Sequence, residues 1–367
     1  MVIGVPKEIK DHEYRVSITP EGVRTLRGAG HEVVLERSAG VGSGFSDEDY
    51  RSAGAHLSTS TAEVFKQSEL VVKVKEPQLS ECRFFRPGQI VFTYLHLASS
   101  PDLTKALLDA QVTAIAYETT AAKDGSLPML RPMSQIAGRL AVQIGARYLE
   151  RTQGGRGVLL SGVPGVEPGN VAILGAGVVG ESAARIAVGM GAKVTIIDQD
   201  MERLRDLDDG YRGRVITLAA TEDNIHQTVS AADLLVGAVL VPGAKAPKLL
   251  SNQLVAAMKP GAVFLDVAVD QGGCSETTRP TTHSDPVYLV HHVLHYCVPN
   301  MPGIVPRTST LALTSATLPF IVRLASSGVT QAIRSEPGLA KGVNLTDGKV
   351  THRGVAEAHG LRFDPLV

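Results

Sequence analysis

The stretch NVAILGAGVVGESAARIAVGMGAKVTIID, Asn170 to Asp198, decides how this chain folds. Its apolar run, Val171 to Leu174, is typical of a buried parallel strand, and the glycines that follow turn the chain into a helix. Gly175 and Gly177 allow a tight turn in which N–H groups at the helix N-terminus can face a pyrophosphate. Gly180 lets the helix pack closely on the strand. The pattern predicts a dinucleotide-binding βαβ unit.

A second strand supports this prediction and indicates which dinucleotide is bound. Lys193 to Ile197 is followed by Asp198, roughly 20 residues after Gly175, where such folds place a ribose-binding acid. This carboxylate accepts hydrogen bonds from ribose hydroxyls and repels a 2′-phosphate, so we expect NAD(H) rather than NADP(H). The alternative is a glycine-rich loop without a nucleotide, because GxGxxG arises by chance in a chain with 37 glycines. The flanking strand, helix and acid argue against that alternative.

Composition and charge narrow the class of protein. With 367 residues, 44% hydrophobic and 20% charged, the chain suits about two globular domains. A net charge of −1 gives no field that attracts nucleic acid or an anionic membrane, so a small-molecule substrate is expected. No apolar run reaches the ~18 residues of a membrane span, and the start lacks a signal-peptide core, so we expect a cytoplasmic protein. Cys82, Cys274 and Cys297 are too scattered for a disulfide scaffold and are expected to be reduced thiols.

Short apolar runs alternate with helical patterns, which predicts an α/β fold with two doubly wound, Rossmann-like parallel sheets and a cleft between them. We expect residues 131–304 to form an NAD-binding Rossmann domain. Residues 1–130 and 305–367 are expected to form a discontinuous second domain, to which a helix at Ser309 to Ser327 and a polar tail return. The expected strands are Val2–Val5, Glu32–Leu35, Leu70–Val74, Ile90–Phe92, Val112–Ala116, Val171–Leu174, Lys193–Ile197, Val215–Leu218, Asp233–Val236, Val263–Val267 and Val287–Val290.

Polar side chains near glycines, prolines and strand ends are candidates for further chemistry, because α/β folds bind ligands there. Arg15 in PKEIKDHEYRVSITP offers a guanidinium fork that matches a carboxylate, with a surface salt bridge as the alternative. Lys75, at the strand end in LVVKVKEP, can face a ligand crevice or be a solvated charge. His96 in IVFTYLHLASSP can transfer protons near neutral pH or be a hydrogen-bonded structural histidine.

Two later segments carry aspartates and histidines. In FLDVAVDQGG, Asp270 lies beyond the strand, at the end where ligands bind, and is the catalytic candidate. Asp266 lies within the strand and is expected to be a structural hydrogen-bonding group. In VHHVLHYCVPNMPG, His291 and His295 are four positions apart, which suits a metal on a helix. The segment is rich in β-branched residues, so we expect a strand and no metal site.

Taken together, these segments resemble the alanine dehydrogenase family. The similarity covers essentially the whole chain and includes VPKEIK with RVSITP, VKVKEP, TYLHLA, MSQIAGR, GAGVVG with IID, DVAVDQGG and HYCVPNMPGIVPRTST. It implies reversible, NAD-dependent oxidative deamination of L-alanine to pyruvate and ammonia by hydride transfer. It also implies that the first and last parts of the chain form the substrate (catalytic) domain, and that the enzyme is a homo-hexamer.

Carried over to matching positions, the resemblance implies roles for individual residues. Arg15 and Lys75 would hold the substrate carboxylate. His96 and Asp270 would handle protons. The positions implied to lie close to the substrate are Met133 and Asn300, and those implied to contact NAD are Ser134, Gly175, Gly177, Val178, Val179, Gly180, Asp198, Arg203, Val239, Leu240, Val267, Asp270, Arg279, Val298 and Met301.

The chain also departs from the family's usual pattern. Ala220 stands where many relatives carry a serine that touches the cofactor, and His12 and Tyr14 stand where asparagines near Arg15 are more usual. These changes bear on affinities and leave the expected reaction unchanged.

Three related functions are the alternatives. The NAD-binding subunit of a proton-translocating transhydrogenase shares the two-domain plan, but we expect it to require partner membrane segments or a tail. Saccharopine-forming lysine dehydrogenases share the architecture and act on a larger substrate. A non-catalytic NAD-sensing protein is the third alternative, and the presence of two cations together with His96 and Asp270 argues against it.

Overall fold

The computed structural model describes residues 1–239 and 246–366. The chain divides into two compact units, unit 1 from Met1–Met133 and Gly303–Val367 and unit 2 from Ser134–Pro302. The strands are β1 (Val2–Val5), β2 (Glu32–Glu36), β3 (His56–Ser58), β4 (Leu70–Val72), β5 (Ile90–Thr93), β6 (Thr113–Ala116), β7 (Asn170–Leu174), β8 (Lys193–Asp198), β9 (Val215–Ala219), β10 (Leu234–Gly237), β11 (Val263–Asp266), β12 (Val287–Val290), β13 (Val293–Tyr296), β14 (Val343–Thr346) and β15 (Lys349–Val350).

The helices complete the description of the elements. The α-helices are α1 (Pro20–Gly28), α2 (Asp47–Ser52), α3 (Thr61–Gln67), α4 (Leu79–Cys82), α5 (Pro101–Asp109), α6 (Arg131–Tyr148), α7 (Val178–Gly189), α8 (Met201–Tyr211), α9 (Glu222–Ala231), α10 (Asn252–Ala256), α11 (Pro306–Ser335), α12 (Pro337–Gly342) and α13 (Arg353–His359). Short 3-10 helices lie at Val41–Ser43, Leu97–Ser99, Arg151–Gln153, Val267–Gln271 and Met301–Ile304.

The sheet of unit 1 has the strand order β15-β14-β6-β5-β4-β1-β2-β3. Strands β1 to β6 are parallel, whereas β14 runs antiparallel to β6, and β15 antiparallel to β14. The order of the strands reverses between β1 and β4. Because α/β sheets bind ligands at the carboxyl ends of strands beside such a reversal, the segments after β1, β4 and β5 mark the binding edge of unit 1.

The sheet of unit 2 has the order β12-β13-β11-β10-β7-β8-β9 and is parallel except for β12. Its order reverses between β7 and β10, so the binding edge of this unit lies after these two strands. The loop that contains Gly175 follows β7 directly. The motif quoted first therefore lies at the reversal point of its sheet.

Local sequence explains how the elements begin and how the sheets are buried. Thr19 caps α1 by accepting the N–H of Gly22, and Pro20 occupies the first helical position, where no N–H partner is needed. Apolar side chains then cover the sheets. The cores include Phe65, Val91 and Leu107 in unit 1 and Leu174, Leu235 and Phe264 in unit 2, all fully or almost fully buried.

The α/β fold with two mostly parallel sheets is confirmed, and each expected strand overlaps an observed one. The structure adds two details that the sequence pattern did not give. The sheets are mixed, because β12, β14 and β15 run antiparallel to their neighbours. The expected polar tail instead contains β14, β15 and α13, and it joins the unit 1 sheet through β6. The Asp347-Gly348 turn between β14 and β15 has positive φ at both residues, which suits a tight hairpin.

Helix α11 also departs from expectation, since it extends to Ser335. By length and composition alone it could span a membrane, contrary to the expectation that no apolar run is long enough. Its buried residues include Leu313, Ile321 and Leu324, and it contacts α1 and α12 within unit 1. Gly328, with φ 71°, interrupts its helical geometry. One face of α11 thus packs within unit 1, and 33% of its apolar stretch is buried.

Candidate active site and nucleotide site

Buried charges hold together the reversal point of the unit 1 sheet. Glu8, after β1, accepts the backbone N–H groups of Val74 (2.7 Å) and Lys75 (3.3 Å), which follow β4. Its carboxylate also lies 3.1 Å from Lys73 Nζ, which contacts Glu81 at 3.0 Å. Burial raises the pKa of Glu8, although the charge of Lys73 opposes this shift. The segment that carries Lys75 is therefore fixed by a residue from the neighbouring strand.

Arg15 is a buried guanidinium with an anionic partner. Its side chain is 1% exposed and that of Glu13 is 0% exposed, so the alternative of a surface salt bridge is wrong. Nε donates to Glu13 Oε1 (2.6 Å), Nη2 donates to Glu13 Oε2 (2.5 Å), and Nη1 donates to Met133 Sδ (3.1 Å). Burial lowers the pKa of Arg15, but Glu13, together with Tyr94 and Glu8, raises it, and the pKa lies above its ordinary value. The guanidinium stays charged and keeps one orientation, as recognition of a carboxylate requires.

Lys75 is buried as well, so the alternative of a solvated charge is also wrong. Thr93, at the end of β5, donates a hydrogen bond to the Lys75 carbonyl (2.9 Å). The charge of Lys75 helps to keep the pKa of Glu76 below its ordinary value, against the effect of burial. Arg15 and Lys75 thus place two cations where water screens them weakly and where attraction to an anion is strong.

His96 lies in a turn after β5, where its backbone is left-handed with φ 49°. Its side chain is 43% exposed, and its ring stacks parallel to that of Tyr94 with centroids 6.0 Å apart. Tyr94 is buried, and its hydroxyl donates to Met129 O (2.6 Å). Glu118 accepts the backbone N–H of His96 (2.7 Å), and its Oε1 lies 3.9 Å from His96 Nδ1. An accessible imidazole on a rigid base suits proton transfer.

Unit 1 links the residues predicted from its sequence into one network. Arg15 contacts Met133 directly. Tyr94 stacks on His96 and interacts electrostatically with Arg15. Lys75 is tied to the end of β5, one residue before Tyr94.

Sequence reasoning missed three carboxylates in this network: Glu8, Glu13 and Glu118. A signal existed for Glu13, which lies two positions before Arg15 in the same segment. A signal also existed for Glu118, which follows the end of β6 in the way that Lys75 and His96 follow their strands. The signal for Glu8 was weaker, because many acidic residues follow strands.

The glycine loop of unit 2 has the geometry that a pyrophosphate requires. Gly175 has φ 103°, and a Cβ there would lie 2.6 Å from Ala238 O, just after β10. A Cβ on Gly180 would collide with Gly175 O, so only glycine lets α7 pack this closely. Gly177 caps α7, and no atom of the described residues lies within 4 Å of the place where its Cβ would be. This open space at a helix N-terminus fits a phosphate group.

Asp198, at the end of β8, supports the glycine loop. Its Oδ2 accepts the N–H of Ala176 (2.5 Å), and its Oδ1 accepts the N–H of Asp200 (2.9 Å). Arg203 Nε donates to Ala176 O (2.9 Å), and Nη2 pairs with Glu181. Glu181 pairs with Arg203, so this guanidinium has a carboxylate partner of its own other than Asp198.

The two aspartates at and beyond the end of β11 differ in burial and in hydrogen bonding. Asp266 is buried and accepts the N–H of Cys274 (2.9 Å) and the hydroxyl of Thr278 (2.5 Å), so it is structural. Burial raises its pKa in spite of these hydrogen bonds. Asp270 lies in the 3-10 helix Val267–Gln271 and is exposed. Within residues 1–239 and 246–366, no hydrogen bond or ion pair engages its carboxylate.

The remaining predicted positions lie in unit 2, and their contacts with ligands stay predictions. Asn300 has φ 66°, and its carbonyl accepts a hydrogen bond from His283 Nε2 (3.4 Å). Leu240 lies outside the described residues. The others are Ser134 in α6, Val178 and Val179 at the start of α7, Val239 after β10, Val267 in its 3-10 helix, Arg279 with its guanidinium 4.0 Å from the Tyr288 ring centroid, and the buried Val298 and Met301.

The histidine-rich segment forms a strand, as expected. His295 lies in β13, is fully buried, donates from Nδ1 to Val293 O (3.0 Å) and contacts Thr277 Oγ1 (2.8 Å). His291 lies in the turn between β12 and β13 with φ 49°. In the ranges that the structure describes, no group of three or more His, Cys, Asp or Glu side chains could hold a metal ion.

The sheets and the glycine loop define a two-unit α/β protein of the dinucleotide-binding class. Comparison with known proteins then identifies its family. The family model described as alanine dehydrogenase/PNT, N-terminal domain, matches residues 4–137, and that for the C-terminal domain matches residues 141–353. The chain belongs to the alanine dehydrogenase/PNT family, which confirms the resemblance drawn from its motifs.

Individual relatives match over almost their whole length. An alanine dehydrogenase from Methanococcus maripaludis is 56% identical over 366 residues, covering 100% of this chain and 98% of the relative. One from Halomonas elongata is 55% identical over 363 residues, covering 99% and 98%. A solved structure titled L-alanine dehydrogenase has a TM-score of 0.95 and 52% identity, and covers 98% of this chain and 99% of that chain. The fold and the family thus agree with each other.

Proposed function

We propose that this protein catalyses the reversible, NAD-dependent oxidative deamination of L-alanine. In the oxidative direction, L-alanine, NAD⁺ and water give pyruvate, ammonium, NADH and a proton. The observation that carries the proposal is the likeness, at 55% and 56% identity over nearly the whole chain, to proteins named alanine dehydrogenase. The buried fork of Arg15 and Glu13 supports it, because a small 2-oxo or 2-amino acid needs a fixed cation for its carboxylate.

Unit 2 is proposed as the NAD-binding domain. Bound NAD⁺ supplies the hydride acceptor of the reaction. The open space beside Gly177 fits the pyrophosphate, and the helix N-terminus there offers N–H groups to it. Asp198 accepts hydrogen bonds from the ribose hydroxyls and repels a 2′-phosphate, so NAD is preferred to NADP.

Unit 1 is proposed as the substrate domain. Arg15 and Lys75 bind the substrate carboxylate, and their burial keeps water from competing for it. Glu13 holds the guanidinium of Arg15 in place, so the substrate is bound in one orientation. Fixing the carboxylate also fixes the direction of the α-hydrogen, which lowers the entropic part of the barrier. Met133, which touches Arg15, lies close to the substrate in this proposal.

His96 and Asp270 are proposed to move protons. His96 takes a proton from the substrate amine during oxidation, and in the reverse direction it donates a hydrogen bond to the carbonyl oxygen of pyruvate. Asp270 activates the water that attacks the imine of pyruvate, and the imine nitrogen leaves as ammonia. Its exposure keeps this carboxylate accessible to water. Asn300 is proposed to contact the substrate.

We also propose a cytoplasmic homo-hexamer. Leu159, Val163 and Val166, in the loop before β7, are exposed apolar side chains. Such patches are typical of surfaces that contact other subunits. Light scattering after gel filtration tests the assembly: six times 38.7 kDa is expected, and a monomeric mass contradicts it.

The activity is tested by NADH oxidation with pyruvate and ammonium, followed by 2-oxobutyrate and glyoxylate in place of pyruvate. Pyruvate is expected to be the best of the three, with L-alanine as the product. A purified chain that binds NADH but oxidises it with none of these acids would favour the NAD-sensing alternative. Hydride transfer from NADH to an NADP⁺ analogue in the presence of partner subunits would favour the transhydrogenase alternative.

A further inference from the structure

Glu118 lies at the carboxyl end of β6, beside the turn that carries His96. Strands β5 and β6 are parallel neighbours, with Thr93 opposite Ala116, so the residues just after each strand lie side by side. The Glu118 carboxylate accepts the backbone N–H of Leu95 (3.2 and 3.3 Å to its two oxygens) and that of His96 (2.7 Å). One carboxylate thus binds two successive N–H groups of the turn.

The turn needs such support because His96 has a left-handed backbone. A residue with a Cβ adopts that conformation only where surrounding contacts impose it. The other side of the turn is also fixed: Ser99 donates from Oγ to the His96 carbonyl (2.9 Å), and His359 of α13 donates from Nε2 to Leu97 O (2.7 Å). Glu118 is the charged member of this set of contacts.

Glu118 also faces the imidazole itself. Its Oε1 lies 3.9 Å from His96 Nδ1, which is beyond a hydrogen bond and within the range of electrostatic attraction. The Tyr94 ring, parallel to the imidazole within 6°, limits the rotation of His96 about its side-chain bonds. The Glu118 charge also acts on the pKa values of His352 and Tyr94, and burial is the larger influence on each.

We infer that Glu118 is a positioning residue for His96. It holds the left-handed turn that presents the imidazole, and its charge favours the neutral tautomer with the proton on Nδ1. Nε2 then keeps a lone pair to accept the substrate proton. The inference deepens the proposed function and rests on it, because it assumes that His96 transfers the proton.

Glu118→Gln is the decisive variant, because the amide oxygen can still accept the two backbone N–H groups while the charge is lost. The neutral amide no longer attracts a proton on Nδ1, so the balance shifts toward the tautomer with the proton on Nε2. We expect kcat for L-alanine oxidation to fall about tenfold or more, with KM for L-alanine changed less than threefold. Glu118→Leu loses both the oxygen that accepts the backbone N–H groups and the negative charge, so its kcat should be lower still. Glu63→Gln, which removes an exposed carboxylate of α3, is the matched control and should keep wild-type kinetics.

The tautomer is measured by solid-state ¹⁵N NMR of the ¹⁵N-histidine-labelled protein, with the His96 signals assigned by difference from His96→Gln. The expected result is a proton on Nδ1 in the wild type and a shift toward Nε2 in Glu118→Gln. A wild-type proton on Nε2, or a Glu118→Gln variant with an unchanged tautomer or an unchanged kcat, overturns the inference. If the wild type does not reduce pyruvate, the proposed function fails, whereas the ¹⁵N comparison still decides whether Glu118 sets the tautomer.

Discussion

The buried pair of Arg15 and Glu13 predicts a large effect when Glu13 is replaced by glutamine. Glutamine keeps Oε1, the acceptor of Arg15 Nε and of the Arg15 backbone N–H (3.1 Å). It replaces Oε2, the acceptor of Nη2, with an NH₂ group that can only donate. Removing one partner of a buried ion pair costs about 3–5 kcal/mol because the other charge stays buried. Since one acceptor remains, we expect a loss of about 3 kcal/mol in the free energy of unfolding.

Thermal unfolding followed by circular dichroism measures this loss. A change of 1 kcal/mol shifts the midpoint of a domain of this size by about 2–4 °C, so the unit 1 transition should fall by roughly 6–12 °C. The KM for pyruvate should rise about tenfold or more, because the guanidinium loses its fixed orientation; tenfold corresponds to about 1.4 kcal/mol. The lower midpoint and the higher KM both follow from the loss of one hydrogen bond, from Arg15 Nη2 to Glu13 Oε2.

The matched control is Glu48→Gln, which removes an exposed carboxylate paired with Arg51 on α2. Exposed pairs of this kind contribute about 0–1 kcal/mol, so the control should differ little from the wild type. If Glu13→Gln matches the control in both midpoint and KM, Glu13 does not hold Arg15, and the proposed carboxylate site loses its support.

Three further predictions concern single residues. His96→Ala and Asp270→Asn should each lose at least about 10²-fold in kcat, with NAD affinity little changed. Stopped-flow kinetics measures kcat, and titration with NADH measures the affinity. If Asp270→Asn loses only NAD binding, Asp270 is a cofactor contact and not a catalytic residue. Asp198→Ala should raise the KM for NAD⁺ and reduce the preference of the enzyme for NAD⁺ over NADP⁺. If the ratio of kcat/KM for NAD⁺ to kcat/KM for NADP⁺ is unchanged, Asp198 does not select the cofactor. Burial raises the pKa of Cys297 to about 12, so its thiol stabilises the fold below pH 9 and this contribution is lost as pH rises toward 12. When the pH is raised from 7 to 10, the free energy of unfolding measured in urea should therefore fall by about 1.4 kcal/mol less in Cys297→Ser than in the wild type. An equal fall in both proteins would contradict the buried thiol.

Much of the binding edge of each sheet could be predicted from sequence, because position along a strand carries information about ligands. Lys75, His96 and Asp270 could be predicted as candidates because each follows an apolar strand, and parallel strands bring their carboxyl ends to one edge. The glycine positions could be predicted because much of their requirement is local: Gly175 has a positive φ, and a Cβ on Gly180 would collide with Gly175 O.

Partners between distant segments could not be predicted in this way. That Glu118 reaches His96 depends on β5 and β6 being adjacent, and the sequence contains no signal for strand order. The pairing of Arg15 with Glu13 depends on how their loop folds onto Met133, 118 positions further along the chain. The hairpin of β14 and β15 is different, because Asp347-Gly348 between residues that alternate apolar and polar is a strong hairpin signal, and the polar character of the tail obscured it.

Oxidation of NADH by the purified protein in the presence of pyruvate and ammonium tests the central claim most directly. The account predicts consumption of NADH matched mole for mole by L-alanine, with NADPH a much poorer donor. Ammonium omitted from the same reaction should abolish L-alanine formation. No oxidation of NADH with pyruvate and ammonium, by a protein that binds NADH normally, would contradict the account.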